Sequence, residues 1–303
     1  MGGMYDAKDP RSSLVAAPAA APKAATEFAG VEYARFHDQP PAESGGGVRT
    51  WYARGQNFVL AYSEAEADVS FTRAAQHDEF AVLSPDANAP LEITFDGKVS
   101  TVPGASLVFV PPGRSMVRMP AGGRLIRLFT HHAGDLVAMC GNAASYQTPH
   151  PNVALLNAWP LPVDGYRVRA YPLDVPAEEG RFGRIWRCST FMVNYLDVRV
   201  GPREVTKMSP HSHADFEQCS LALAGEFIHH IRWPWTTNMN HWRDDEHVLC
   251  GTPSIAVIPP PAIHTTQATG AGANQLVDIF CPPRVDFSLK PGWVLNADEY
   301  PMP

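Results

Sequence analysis

The stretch Pro210-His211-Ser212-His213-Ala214-Asp215-Phe216-Glu217 governs how the rest of the chain is read. Successive side chains on an extended strand alternate faces, so His211 and His213 point the same way, and a bend or bulge before Glu217 returns its carboxylate toward them. Two imidazoles and a carboxylate suit a borderline divalent ion such as Fe, Mn, Ni, Co or Zn, whereas an all-oxygen shell would suit Mg or Ca. A candidate fourth donor is His264, in Pro259-Pro260-Pro261-Ala262-Ile263-His264. An HxH pair alone is weak evidence, because two exposed strand histidines read the same way.

Composition narrows the setting. The 303 residues suffice for two domains of ordinary size, and 45% hydrophobic content supports a buried core. The 29 prolines and 23 glycines punctuate the chain as many short strands joined by turns would require, so the chain reads as all-β. A net charge of −7 without a basic cluster argues against nucleic acid and leaves a small-molecule substrate as the expected partner. No apolar run approaches the roughly 18 to 20 residues of a membrane span, and Met1-Gly2-Gly3-Met4-Tyr5-Asp6 holds no hydrophobic signal core, so no membrane partner and a cytoplasmic location are expected. The five scattered cysteines read as buried free thiols.

The surroundings of the histidines resemble the cupin superfamily, whose first motif is HxH, three or four residues, Glu, about six residues and Gly. Here seven residues separate Glu217 from Gly225. The second motif is matched by Gly251, Pro259 and His264, with Pro261 in place of a glycine and Ala268 in place of an asparagine. The run Val277-Asp278-Ile279-Phe280 resembles a last barrel strand. This resemblance implies one divalent transition metal per chain, Fe(II) first among Mn, Ni, Co and Zn, held by His211, His213, Glu217 and His264. It also implies a homo-oligomer, most simply a dimer.

The implied architecture is a bicupin: two antiparallel β-sandwich or jelly-roll barrels joined by a short helical, Pro-rich linker. Residues 1–28 read as a flexible Ala/Pro-rich arm, 29–130 as an N-terminal barrel without metal ligands, 131–164 as the linker, and 165–303 as the metal-binding barrel. Strands are expected over Asn57–Tyr62, Asp68–Thr72, Glu79–Leu83, Leu91–Phe95 and Ser106–Val110, with Asp96-Gly97 closing a hairpin. Ala133 to Tyr146 carries the pattern of a short helix. Sliding the halves together sets Arg73 and Ala75 against His211 and His213, Glu79 against Glu217, and Met116 against His264. His77, His131 and His132 match no ligand slot.

Three histidines and a carboxylate on an octahedral ion leave two adjacent positions for substrate, which gives the site a catalytic character. The leading expectation is a metal-dependent dioxygenase acting on an enolic, phenolic or diketone substrate. The alternatives are a redox-neutral isomerase or lyase and a non-catalytic small-molecule-binding cupin. His229 is the candidate general acid or base. Trp233, Trp235 and Trp242 are candidates for a substrate wall, and Arg199, Arg203 and Arg232 for anion clamps. Gln218 and Gln267 are expected to face away from the ligands beside them.

Overall fold

The computed structural model describes Tyr5, residues 8–14 and residues 28–303. The expected runs form strands Phe58–Ala65, Val69–Gln76, Phe80–Ser84, Leu91–Phe95 and Ser106–Val110. Asp96 and Gly97, with φ of 49° and 70°, close the hairpin from Leu91–Phe95 to Lys98–Val102, as a tight turn matched to strand twist requires.

Each barrel combines a large and a small sheet. In the first, the large sheet runs Arg169–Pro172, Ser106–Val110, Phe80–Ser84, Gly123–Thr130, Phe58–Ala65, Val48–Arg54 and Glu43–Gly45; the small one runs Val69–Gln76, Gly113–Met119, Leu91–Phe95 and Lys98–Val102. In the second, the large sheet runs Glu32–Ala34, Ser254–Ile258, Gln218–Ala224, Ala273–Phe280, Met192–Tyr195 and Arg184–Arg187, and Arg199–Val200 also pairs with Ala273–Phe280. Its small sheet runs Glu246–Cys250, Phe227–Arg232 and Ile263–Ala268. The edge strands are exchanged. Arg169–Pro172 pairs antiparallel with Ser106–Val110, and Glu32–Ala34 with Ser254–Ile258, so each half of the sequence completes the other's large sheet.

The large sheets share one apolar core, in which Leu60, Tyr62, Leu83 and Leu128 meet Val193, Leu221, Val257 and Val277. Strand alternation sends the intervening Val59, Ala61 and Val82 into the first barrel, which is filled by Ile93, Val117, Met119 and Phe129. Burial on both faces explains the unbroken apolar run Phe58-Val59-Leu60-Ala61-Tyr62.

The linker has two single turns where the sequence predicts one helix: an α turn at Gly134–Val137 and a 3-10 turn at Ala143–Tyr146. Asn142 between them spends its amide on the Arg54 backbone, donating to the carbonyl at 2.8 Å and accepting from the N–H at 3.0 Å.

The small sheets differ where the site lies. The first barrel has the full strand Val69–Gln76 against Gly113–Met119, whereas the second has a single bridge between His211 and His264. Residues 201–217 otherwise form no strand, and Pro210 has no N–H to extend the ladder. The correspondence corrects the expected register by one residue. Arg73 pairs with Ser115 as His211 bridges His264, so buried Ser115 occupies the His264 slot and Met116 turns to the opposite face.

Candidate metal centre

His211, His213 and His264 are buried, with ligand nitrogens all within 4.8 Å of one another. The His211–His264 bridge joins two of them, and the HxH spacing brings in the third. His211 Nδ1 donates to the Ser209 carbonyl at 2.8 Å and His264 Nδ1 to the Ala262 carbonyl at 3.0 Å, which leaves the lone pair of each ring on Nε2. Burial, reinforced by neighbouring positive groups, lowers all three pKa values; His264 falls to about 4. The rings are therefore neutral at physiological pH, the form that binds a metal.

Glu217 does not join them. Its Oε2 accepts the Gln56 N–H at 2.7 Å, across the boundary between the barrels, and Oε1 meets no partner in normal hydrogen-bond geometry. Burial raises its pKa to about 7, against opposing effects of the Gln56 N–H and the Tyr146 hydroxyl. Glu79, at the equivalent place before Phe80–Ser84, reaches across in the other direction: Oε2 accepts from Ser189 N and Oγ, and Oε1 from the Tyr300 hydroxyl. The two carboxylates thus mirror each other as ties between barrels.

The oxygen facing the imidazoles belongs to Gln218, which sequence alternation set on the wrong side. Gln218 Nε2 donates to Ser220 Oγ at 3.0 Å and Asp278 Oδ1 at 3.1 Å, and Ser220 Oγ donates to the same Asp278 oxygen at 3.0 Å. These partners turn Gln218 Oε1 toward His213 Nε2 at 2.9 Å and His264 Nε2 at 3.4 Å. Because His264 carries its proton on Nδ1, an imidazole lone pair faces an amide oxygen. At 2.9 Å neutral His213 donates its Nε2–H to that oxygen; with this proton moved to Nδ1, the nitrogens of His211, His213 and His264 and the Gln218 oxygen make a focus of donors that fits a borderline divalent cation.

A cavity of about 380 Å3 opens beside this focus and is lined by His211, His264, Gln218, Asp278, Arg203 and Phe182, among others. Among the described residues Arg203 donates to neutral acceptors, the Thr266 and Lys207 carbonyls and Ser209 Oγ. Burial and the nearby Arg11 and Arg199 lower its pKa, against the opposing charge of Asp9. Asp278, which also lines the cavity, is raised by burial to about 6.

Part of the expected flexible arm is docked here. Asp9 caps a 3-10 turn at Pro10–Ser13, Arg11 lies over Tyr5 and Phe182 at 4.6 and 4.2 Å, and the Tyr5 ring lies 5.5 Å from that of His211. Asp9, Pro10 and Arg11 line the cavity. Residues 15–27, also expected to be flexible, lie outside the described residues.

His229 is not among the cavity-lining residues. It faces the interior, but Nδ1 pairs with Thr266 Oγ1 at 3.1 Å, and burial lowers its pKa to about 3, which makes it a poor proton acceptor at neutral pH. Trp233 packs with Phe28 and Ile231, while Trp235 and Trp242 stack on each other at 4.4 Å; none of the three lines the cavity. Arg232 pairs with Asp245, and Gln267 bonds His230. Asp278 went unnoticed because its role depends on pairing opposite Ser220.

No protein-family model and no curated protein matches the sequence. Solved structures do match in fold. AerE from Microcystis aeruginosa aligns over 79% of this chain and 94% of its own, at 10% identity and a TM-score of 0.52. A formate complex of Lactobacillus farciminis oxalate decarboxylase aligns over 85% and 88%, at 14% identity and 0.53. A variant of Bacillus subtilis oxalate decarboxylase aligns over 87% and 82%, at 13% identity and 0.54.

Proposed function

We propose that this two-barrel chain is a bicupin, two cupin barrels in tandem, and that its second barrel is a mononuclear metal-dependent enzyme acting on a small anionic, oxygen-bearing substrate. The observation that carries this reading is the convergence of three neutral imidazoles and the Gln218 oxygen on the wall of a cavity that also holds Arg203. These donors are uncharged, so a divalent cation keeps its full charge toward the cavity and favours an anionic ligand. When bound, such a cation would polarise a chelating pair of substrate oxygens, and iron(II) would add the capacity to use dioxygen. Arg203 would clamp a carboxylate or enolate at the far end of the substrate.

Two reactions follow from this arrangement. One is dioxygenase chemistry on an enolic, phenolic or diketone substrate. The other is redox-neutral isomerisation or lysis, favoured by Asp278, a cavity-lining carboxylate whose raised pKa of about 6 suits it to take and return a proton. A screen of small enolisable acids against the metal-loaded protein, with oxygen uptake recorded, tests the reading. Consumption that stops under strict anaerobiosis identifies the dioxygenase, and unchanged anaerobic turnover the proton-transfer reaction. No turnover with or without oxygen, for any metal tried, would reject an enzymatic role.

A further inference from the structure

A second group of metal-type donors lies in the first barrel, away from its filled interior. Phe80–Ser84 runs antiparallel to Gly123–Thr130 with Ala81 opposite Leu128, so the residues before one strand fall beside those after the other. His77 and Asp78 thereby meet His132. Asp78 Oδ1 accepts from His77 Nδ1 at 2.9 Å, and Oδ2 accepts from His132 Nδ1 at 2.7 Å and from Thr130 Oγ1 at 2.5 Å. The two imidazole rings lie 4.5 Å apart, and the ligand atoms of His77, Asp78 and His132 are all within 4.8 Å of one another.

We propose that His77, Asp78 and His132 form a second divalent-metal site, suited to a borderline ion such as zinc and completed by water on its exposed side. Two imidazole nitrogens and one carboxylate oxygen form a mixed N/O set of the kind zinc accepts. Tetrahedral zinc, with ligand bonds of roughly 2.0–2.1 Å, places donor pairs roughly 3.4 Å apart; the imidazoles now lie 2.9 and 2.7 Å from different Asp78 oxygens, so binding through one oxygen needs one ring to swing toward the oxygen that the other holds. Each neutral ring can carry its proton on Nε2 instead of Nδ1, which frees both lone pairs without net loss of a proton. Thr130 fixes the carboxylate in advance. The Asp78 side chain is only 15% exposed, while His77 and His132, at 67% and 39%, leave the outer side open to water. The site is independent of the centre in the second barrel.

Equilibrium dialysis of the full chain against zinc, followed by elemental analysis, is expected to show one zinc equivalent fewer in His77→Ala/His132→Ala than in the unaltered protein. Equal zinc content would overturn the proposal. Should the double variant fail to fold, zinc protection of His77 and His132 from diethylpyrocarbonate, read by mass spectrometry on the unaltered chain, serves instead. Protection of both residues is expected, and equal modification with and without zinc would overturn the site.

Discussion

Glu217 and Gln218 are sequence neighbours with opposite surroundings: one ties the barrels together, and the other faces the imidazoles. Their variants should therefore separate stability from metal binding. Gln218→Leu is expected to lower metal content after dialysis, whereas Glu217→Gln should retain it and change the pH dependence of stability. The folded-state pKa of Glu217, raised to about 7, means that above the ordinary carboxylate range the folded chain holds a proton that the unfolded chain has released. Stability is then fullest at low pH and falls as pH rises through that window, by about 3 kcal/mol for a shift of this size. Glu217→Gln should remove this loss, so its denaturation midpoint should gain on that of the parent between mildly acidic and neutral pH. A parallel pH profile for the two proteins would reject the assignment. His211 and His213 were legible from spacing and His264 through the cupin resemblance, but the oxygen facing them was not. The family pattern allows three or four residues after HxH, and the choice depends on the strand beginning at Gln218 opposite Ile258, a matter of register.

Among the elements, the segment that replaces a strand and the segment docked at the cavity matter most. Loss of regular pairing across residues 201–217 leaves the Ser209 carbonyl free to fix His211, while the first barrel spends the same place on a full strand. Asp9, Pro10 and Arg11 of the docked turn line the cavity. The turn's Ala/Pro-rich context concealed it, because an aromatic sandwich around one arginine leaves no periodic pattern to read. Deletion of residues 1–14 should speed metal extraction by a chelator several-fold with little effect on Tm, since the turn contributes few buried apolar side chains. An unchanged extraction rate would show that the turn does not control access. The large-sheet strands were legible because burial on both faces gave Phe58–Ala65, Phe80–Ser84 and Ser106–Val110 apolar runs, and Leu91–Phe95 because its apolar and polar residues alternate.

At the scale of the whole molecule, exchanged edge strands and a shared apolar core join the barrels. Residues 165–303 made alone would lose Glu32–Ala34 from the sheet edge and expose Val193, Leu221, Val257 and Val277. This half is expected to aggregate or to lose near-ultraviolet circular dichroism, and co-expression with residues 1–164 should recover soluble protein. A soluble isolated half with native-like dichroism would contradict this. The duplication was visible in the parallel segments Val110-Pro111-Pro112-Gly113 and Ile258-Pro259-Pro260-Pro261, but the exchange was not, since strands of three and four residues carry little pattern of their own.

That exchange also orders events on the ribosome. Glu32–Ala34 emerges early, yet its partner Ser254–Ile258 is made more than two hundred residues later, and the first barrel waits for Arg169–Pro172 before its sheet is closed. The nascent chain must therefore carry an unpaired strand and an uncovered apolar face while those intervening residues are made, a span in which chaperone capture competes with aggregation.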